Sequence, residues 1–282
     1  MASSALETTL RRDRLVVGAA LAALTVFAWV YILWLVQEMA GMPMLEAPMP
    51  GMAMPGMDGA GGSAGGMIAM ALRPWTGADF TFMLVMWAVM MVGMMTPSAA
   101  PMILLYARVG RQAAADGRPF AATGFFAGGY LLAWVGFSLL ATIGQWALVR
   151  GLLLTPMMAS ASAAFSGLVL VAAGLFQWTP LKEACLRQCQ APLAFIQRHG
   201  GFRRDPAGAL AIGLRHGFYC IGCCWALMAL LFVGGVMNVL WIAAIAIFVL
   251  AEKVLPAGWP VSRLAGAALV AAGLWVLGGQ MV

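Results

Sequence analysis

The chain has 282 residues, of which 63% are hydrophobic and only 9% charged, and its mean hydropathy is +0.92. Soluble domains carry about a quarter charged residues, so a water-soluble globule is excluded. So are a disordered or collagenous chain, by the apolar content, and a disulfide-stapled miniprotein, by only five cysteines. The net charge of +6 does not point to a nucleic-acid partner, because the basic residues lie between hydrophobic runs. The composition predicts an all-α, polytopic transmembrane helical bundle in a lipid bilayer. At roughly 20 residues per crossing, this length allows about seven helices plus loops.

The first apolar run, Leu15–Val36, follows Arg11, Arg12 and Arg14. Its 22 residues are long for a signal-peptide core, and Glu38-Met39-Ala40-Gly41 is a poor cleavage site, so it reads as an uncleaved first helix. Further spans are expected at Asp79–Tyr106, Ala121–Val149, Ala159–Thr179, Gly217–Val236, Asn238–Leu255 and Val261–Gln280. Pro156, Pro180, Pro206, Pro256 and Pro260 fall near or between these runs, where helix breakers belong. The division that follows is 1–37 for the tail and first helix, 38–78 for an outer loop, and 79–282 for a six-helix membrane domain. Within that domain, 180–206 is an inner segment bearing Cys185, Cys189 and His199, with a turn at Gly200-Gly201.

Basic residues collect on the cytoplasmic side of membrane proteins. With the N-terminus cytoplasmic and the C-terminus outside, 14 of the 16 lysines and arginines face inward, leaving only Arg73 and Arg150 outside. Reversing the chain would reverse the bias. The outer loop, rich in Gly, Pro and Met, cannot build a core of its own.

Sulfur is distributed unevenly. Of 22 methionines, 16 lie between Met39 and Met102. The outer loop holds Met39, Met42, Met44, Met49, Met52, Met54, Met57, Met67 and Met70, and Met49, Met52, Met54 and Met57 are spaced two or three residues apart. A thioether is a soft ligand with no proton to lose, so it can hold Cu(I) where thiols would oxidise. The plainer alternative is an adaptable, sticky linker. In the second span Met83, Met86, Met90 and Met94 recur at helical spacing, with Met91 and Met95 beside them. From Met83 to Met94 such a stripe climbs about 16 Å. Core packing is the ordinary reason for a methionine stripe; here Met90, Met94 and Met95 are also candidate ligands because the stripe begins just below the loop. Pro97 and Pro101 are expected to bend or locally unwind its inner half.

The thiols form a second set. Cys185 and Cys189 are one helical turn apart, and Cys220, Cys223 and Cys224 lie within five residues, with His216 one turn before them. On a helical wheel His216, Cys220, Cys223 and Cys224 fall within about 100° of one another. With Gly217 as the start of its span, Cys220 stands about one turn in. Deprotonated cysteine is a strong soft-metal ligand, and such pairs can present two to four thiolates to one ion. Inert structural cysteines are the alternative. Arg215 and Glu252 are expected to pair near the inner interface, and Lys253 to snorkel toward the surface. No P-loop, dinucleotide fingerprint, Ser/His/Asp set or zinc-ribbon spacing is present, so catalysis by this chain is not expected.

Several motifs are carried together: Trp87-x2-Met90-x3-Met94-Met95-x-Pro97-Ser98-x2-Pro101, and Thr179-Pro180-Leu181-Lys182-x2-Cys185-Leu186-x2-Cys189-x2-Pro192. They continue as His216-Gly217-x2-Cys220-x-Gly222-Cys223-Cys224-Trp225-x-Leu227-Met228, then Gly235-x-Met237-Asn238 and Glu252-Lys253. In these the chain resembles a bacterial family of predicted metal-binding integral membrane proteins, some described as copper chaperones associated with polyphenol oxidase (tyrosinase). The likeness runs from Trp75 to Pro256, and its most specific element is Cys-x-Gly-Cys-Cys-Trp. It implies copper handling in a bacterial cytoplasmic (inner) membrane.

The leading expectation is therefore a multi-pass membrane protein that acquires or delivers Cu(I) for an extracytoplasmic copper enzyme. Its ligands would be Cys185, Cys189, Cys220, Cys223 and Cys224, with His216 as a nitrogen donor. A second reading is a thiol–disulfide oxidoreductase relaying electrons through Cys220/Cys223 and Cys185/Cys189. A third is an assembly subunit of a membrane metalloenzyme, with the methionine loop as a docking arm.

Overall fold

The apolar runs become helices, and capping side chains set five of their starts. A computed structural model describes residues 2–41, 74–117, 121–155, 158–255 and 260–279; within these, the side chains of 2–14, 39–41 and 115 are not described. In chain order the helices are α1 (Ala2–Gly41), α2 (Gly77–Ala115), α3 (Thr123–Arg150), α4 (Ala163–Phe176) and α5 (Pro180–Gln190). They continue as α6 (Pro192–Arg198), α7 (Pro206–Ala229), α8 (Leu231–Gly234), α9 (Val239–Val254) and α10 (Val261–Gly278). Among the described residues the chain is all-helical, apart from an isolated bridge between Leu154 and Ser160.

Thr76 and Asp79 form a reciprocal capping box at the start of α2. Thr179 accepts the Lys182 N–H at the start of α5, and Asp205 accepts the Gly208 N–H at the start of α7. A proline follows each of these two caps, at a position where a missing N–H costs nothing. The Gly208 N–H also holds the exposed Asp205 carboxyl below the ordinary carboxylate range. After α6 the chain turns at Gly200 and Gly201, whose φ values of 101° and 71° favour glycine.

Among the described residues, five stretches are long and apolar enough to cross a membrane: Leu15–Glu38, Gly77–Ala114, Thr123–Arg150, Pro206–Gly234 and Val261–Gly278. The fourth expected span is instead a broken one, Ala163–Phe176 meeting Pro180–Gln190 at 64°. The sixth, α9, has 16 residues. At 1.5 Å per residue it reaches about 24 Å, short of a bilayer core of about 30 Å.

Two expectations need correction, one about a helix start and one about the local unwinding expected at Pro97 and Pro101. The helix bearing the three clustered cysteines starts at Pro206, not near Gly217. A helix capped by Asp205 and started by Pro206 carries through Arg215 and His216. Cys220 therefore stands about 21 Å along the axis from the helix start, well inside the helix rather than one turn in. The second correction concerns α2, which runs as continuous helix through Pro97 and Pro101 without unwinding.

Helix α2 packs against α1, α3, α6 and α9, and so occupies the middle of the bundle. Its Met86, Trp87, Met90, Met91, Met94 and Met95 are all buried. The buried methionines thus cover about half the helix circumference rather than one narrow stripe. Glycines bring α3 and α7 to backbone contact. A Cβ at Gly213 would lie 2.0 Å from the Phe126 carbonyl oxygen, and one at Gly129 2.1 Å from that of Leu210. The α4–α10 pair uses the same device, with Gly174 against Gly266 and Gly167 against Gly273. Small residues at crossings let apolar helices gain close van der Waals contact. Outward faces carry large apolar side chains, among them Leu240, Trp275, Phe27, Ile247 and Leu140.

Gly213→Val should therefore destabilise the protein by at least about 1–3 kcal/mol, through overpacking against backbone that cannot yield. Gly144→Ala, at a site with nothing within 4 Å, should be neutral or slightly stabilising. Thermal unfolding midpoints in detergent check both.

Candidate metal site

Helix α5 lies against α7, and this contact brings the two cysteine pairs of the sequence together. Cys185 and Cys189 are one turn apart on α5 and so share a face. Gly222 makes room for the first of them: a Cβ there would sit 2.8 Å from the Cys185 sulfur. The Cys189 thiol interacts with the thiols of both Cys220 and Cys223. Cys220, Cys223 and Cys224 are fully buried. The thiols of Cys223 and Cys224 donate back to the Cys220 carbonyl oxygen, at 3.0 and 2.9 Å. All five cysteines are free thiols.

Cys220 differs from the others in what faces its sulfur. The Lys253 Nζ donates to it at 2.8 Å, and the Tyr130 hydroxyl shares a hydrogen with it at 3.2 Å. Lys253 also donates to Ser98 Oγ at 2.9 Å. Ser98 and Tyr130 both donate to the Met95 carbonyl oxygen, at 2.9 and 3.1 Å. That carbonyl lies two residues before Pro97 in α2. The middle of the methionine helix is thus hydrogen-bonded to the surroundings of Cys220.

Lys253 does not snorkel, as the sequence suggested: it is buried and points at a thiol. Nor does Arg215 pair with Glu252. Arg215 is exposed on α7, whereas the Glu252 carboxylate receives Lys182 Nζ at 2.6 and 2.8 Å. Lys182 also bonds the Gln177 side-chain oxygen, and Ser262 of α10 donates to Glu252 at 2.6 Å. Gln190 donates to the Glu252 carbonyl oxygen at 2.8 Å. These bonds tie both ends of α5 to the end of α9. The neighbours Glu252 and Lys253 therefore serve different sides, one holding α5 and the other reaching Cys220.

His216 is buried one turn before Cys220, among the rings of Phe126, Tyr130 and Phe195 at 6.1, 5.6 and 5.2 Å between centroids. Among the described residues its Nδ1 has no hydrogen-bond partner. A buried nitrogen without a partner is costly unless something occupies it. His199 instead packs tilted against Phe195, 4.4 Å between ring centroids, with its Nδ1 2.8 Å from the Phe195 carbonyl oxygen.

Of the candidate thioethers, Met90, Met94 and Met95 are buried in the core around α2. Met83, half-buried, accepts from Gln145 Nε2 at 3.6 Å, and Gln145 in turn accepts from Trp87 at 2.6 Å. Met49, Met52, Met54 and Met57 lie outside the described residues. Among the described residues, no three His, Cys, Asp or Glu side chains already stand in metal-holding geometry. With Cys223 and Cys224 turned onto a carbonyl, side-chain rotation is needed before several sulfurs can face one point.

The donor set of Cys189, Cys220, Cys223 and Cys224, with a spare imidazole nitrogen, is soft and suits a monovalent copper ion as cargo. Sequence reasoning missed Lys253, Tyr130 and Ser98 as neighbours of this set. The available signal was a Glu-Lys dipeptide inside an apolar run, since an ionisable residue in such a run marks a partner or a function.

A family model described as PpoB2, copper chaperone, matches residues 84–276. The match contains every cysteine, both histidines and the Glu252-Lys253 pair, and extends through most of α10. No curated protein and no solved structure matches the chain.

Lys182→Met should cost about 3–5 kcal/mol, because it leaves the Glu252 carboxylate buried and unpaired. The double variant Lys182→Met/Glu252→Gln should be milder, and alkylation of Cys189 should quicken in the single variant. Unfolding midpoints and maleimide labelling rates measure this, and equal losses in the single and double variants would remove the ion pair as the latch of α5.

Proposed function

We propose that this chain, which belongs to the PpoB2 copper chaperone family, is a multi-pass membrane protein that acquires or delivers Cu(I) for an extracytoplasmic copper enzyme. The observation that carries the reading is the interaction of Cys189 on one helix with Cys220 and Cys223 on another. Soft ligands from separate helices meet there, beside an unpartnered imidazole nitrogen. Binding of Cu(I) by two of these thiols forms two metal–sulfur bonds and releases the thiol protons. Cys185, over Gly222, lies next to this set and can exchange into it as the ion arrives or leaves.

The membrane reading rests on five long apolar helices and on their outward leucine, isoleucine and tryptophan side chains. In water such surfaces would be a strong aggregation hazard, whereas lipid solvates them. The broken α4–α5 pair and the short α9 complete a seven-helix arrangement if α5 lies at the interface and the bilayer thins at α9. The basic residues orient it with the N-terminus cytoplasmic and the C-terminus outside, in the bacterial inner membrane. The division into 1–37, 38–78 and 79–282 then assigns one anchor, one outer loop and a six-helix site-bearing domain. Met49, Met52, Met54 and Met57 of the loop face the oxidising side, where thioethers exchange copper with the client enzyme or with metalloenzyme subunits under assembly. Met90, Met94 and Met95 line the central helix between that loop and the thiols.

The same contact of Cys189 with Cys220 and Cys223 favours one other reading, a thiol–disulfide relay. A disulfide across α5 and α7 would need two electrons to leave to a partner oxidant. The two readings separate in one experiment. Protein purified in detergent under reducing conditions should hold copper in stoichiometric amount by elemental mass spectrometry, and Cys223→Ser/Cys224→Ser should lose it. A loop-deleted variant should keep the inner copper and lose any additional ions. Full occupancy in the double serine variant would rule out the thiol site, and a copper-free protein with Cys189 joined to Cys220 or Cys223 would establish the relay.

A further inference from the structure

The side chain of Lys253 is buried, and its ammonium contacts a thiol sulfur and a hydroxyl. Among the described residues it has no carboxylate within ion-pair distance, because the adjacent Glu252 is turned to Lys182 and Ser262. A buried ammonium without a counter-charge is costly. Here its strongest possible partner is the sulfur of Cys220, 2.8 Å away, once that sulfur becomes a metal-bound thiolate.

We propose that Lys253 is the counter-charge of the thiol site and biases it toward monovalent soft ions over divalent ones. This rests on the copper reading and adds to it the property that selects the cargo. The argument is charge counting in a low dielectric. For any given number of thiolate ligands, the complex of a +1 ion is one unit more negative than that of a +2 ion. A fixed ammonium at contact distance therefore always favours the monovalent complex. With two thiolates, the Cu(I) complex carries one negative charge and Lys253 neutralises it. The corresponding Zn(II) or Cd(II) complex is already neutral, and Lys253 leaves the pocket with a net positive charge. Coulomb interactions between unit charges a few ångströms apart are large away from water, so one misplaced charge shifts affinity by at least about tenfold.

The geometry makes Lys253 a fixed charge rather than a wandering one. The Ser98 hydroxyl accepts from its ammonium at 2.9 Å. Ser98 is itself anchored on the Met95 carbonyl oxygen. Tyr130, which also contacts the Cys220 sulfur, donates to that carbonyl too. Three helices thus hold the charge beside Cys220. Lys253 is a positioning and charge-balancing group and not a ligand, since an ammonium has no lone pair to give.

The test compares wild type, Lys253→Met, Lys253→Gln and Lys253→Arg in detergent, with Ag(I) as a redox-inert monovalent probe and Cd(II) as the divalent one. Affinities come from chelator competition and elemental mass spectrometry, with unfolding midpoints to confirm an intact fold. The ratio of Ag(I) to Cd(II) affinity should fall at least tenfold in both Lys253→Met and Lys253→Gln, and stay within a few-fold of wild type in Lys253→Arg. Glutamine keeps a hydrogen-bond donor without the charge, so an unchanged ratio there overturns the proposal. So does a parallel fall in both affinities, which marks a purely structural lysine. A wild-type protein that takes up neither Ag(I) nor Cu(I) overturns the copper reading itself, whatever the variants do.

Discussion

The arrangement depends on one buried ion pair, Lys182 with Glu252. It joins the short helix α5 to the end of α9, and Ser262 brings in the start of α10. Without it, α5 would be an 11-residue helix holding mainly by contact with α7. With it, Cys185 and Cys189 are presented to the cysteines of α7. Removing two charges from water is expensive, and their attraction offsets that cost only with good geometry and further hydrogen bonds. Both oxygens of Glu252 receive Lys182, and Gln177 accepts from the same ammonium. These bonds buy register more than stability: they fix which face of α5 meets α7.

The glycines act at a second level. Helices α3 and α7 touch through Gly129, Gly213 and Gly217, so Tyr130 of α3 reaches both His216 and Cys220 of α7. On the opposite side of α7, Gly222 admits the Cys185 sulfur. One helix therefore meets an aromatic and hydroxyl wall on one face and a thiol helix on the other. The buried α2 closes the third side through Ser98. The polar groups around Cys220 are contributed by α2, α3 and α9, each from a position far away in sequence.

This explains how much could be read beforehand. The spacing of Cys185 with Cys189, and of His216 with Cys220, Cys223 and Cys224, is local, and helical periodicity alone puts each set on one face. Membrane-like composition, most span positions and the Gly200-Gly201 turn are local in the same sense. The start of α7 was misplaced because Arg215 and His216 look like an interface, while the deciding groups, Asp205 and Pro206, lie nine or more residues upstream. The partners of Glu252 and Lys253 were illegible for a different reason. Adjacent side chains on a helix point about 100° apart, so a Glu-Lys dipeptide must serve two neighbours, and only the packing says which. The helices of Glu252 and Arg215 do touch, at Lys253 and Cys220, but Glu252 faces Lys182 and Ser262 while Arg215 is exposed on α7.

The thiols as found are closed in a way that suits a carrier. Cys223 and Cys224 spend their hydrogens on the Cys220 carbonyl oxygen, and Cys189 contacts Cys220 and Cys223. Thiol donors are weak, so opening these bonds costs at most about the 0.5–1.5 kcal/mol of an ordinary hydrogen bond each. The carbonyl they leave keeps its place in the helical ladder, so rotation of the side chains disturbs no backbone. A rigid, preassembled cage would hold a metal more tightly but would also release it slowly. A set whose members are satisfied both empty and loaded can pass an ion from one sulfur to the next, each new bond replacing one that breaks. On the proposed copper reading, the fixed part of such a site is its charge and not its ligands: Lys253 is tethered to Ser98, and the sulfurs around it would exchange.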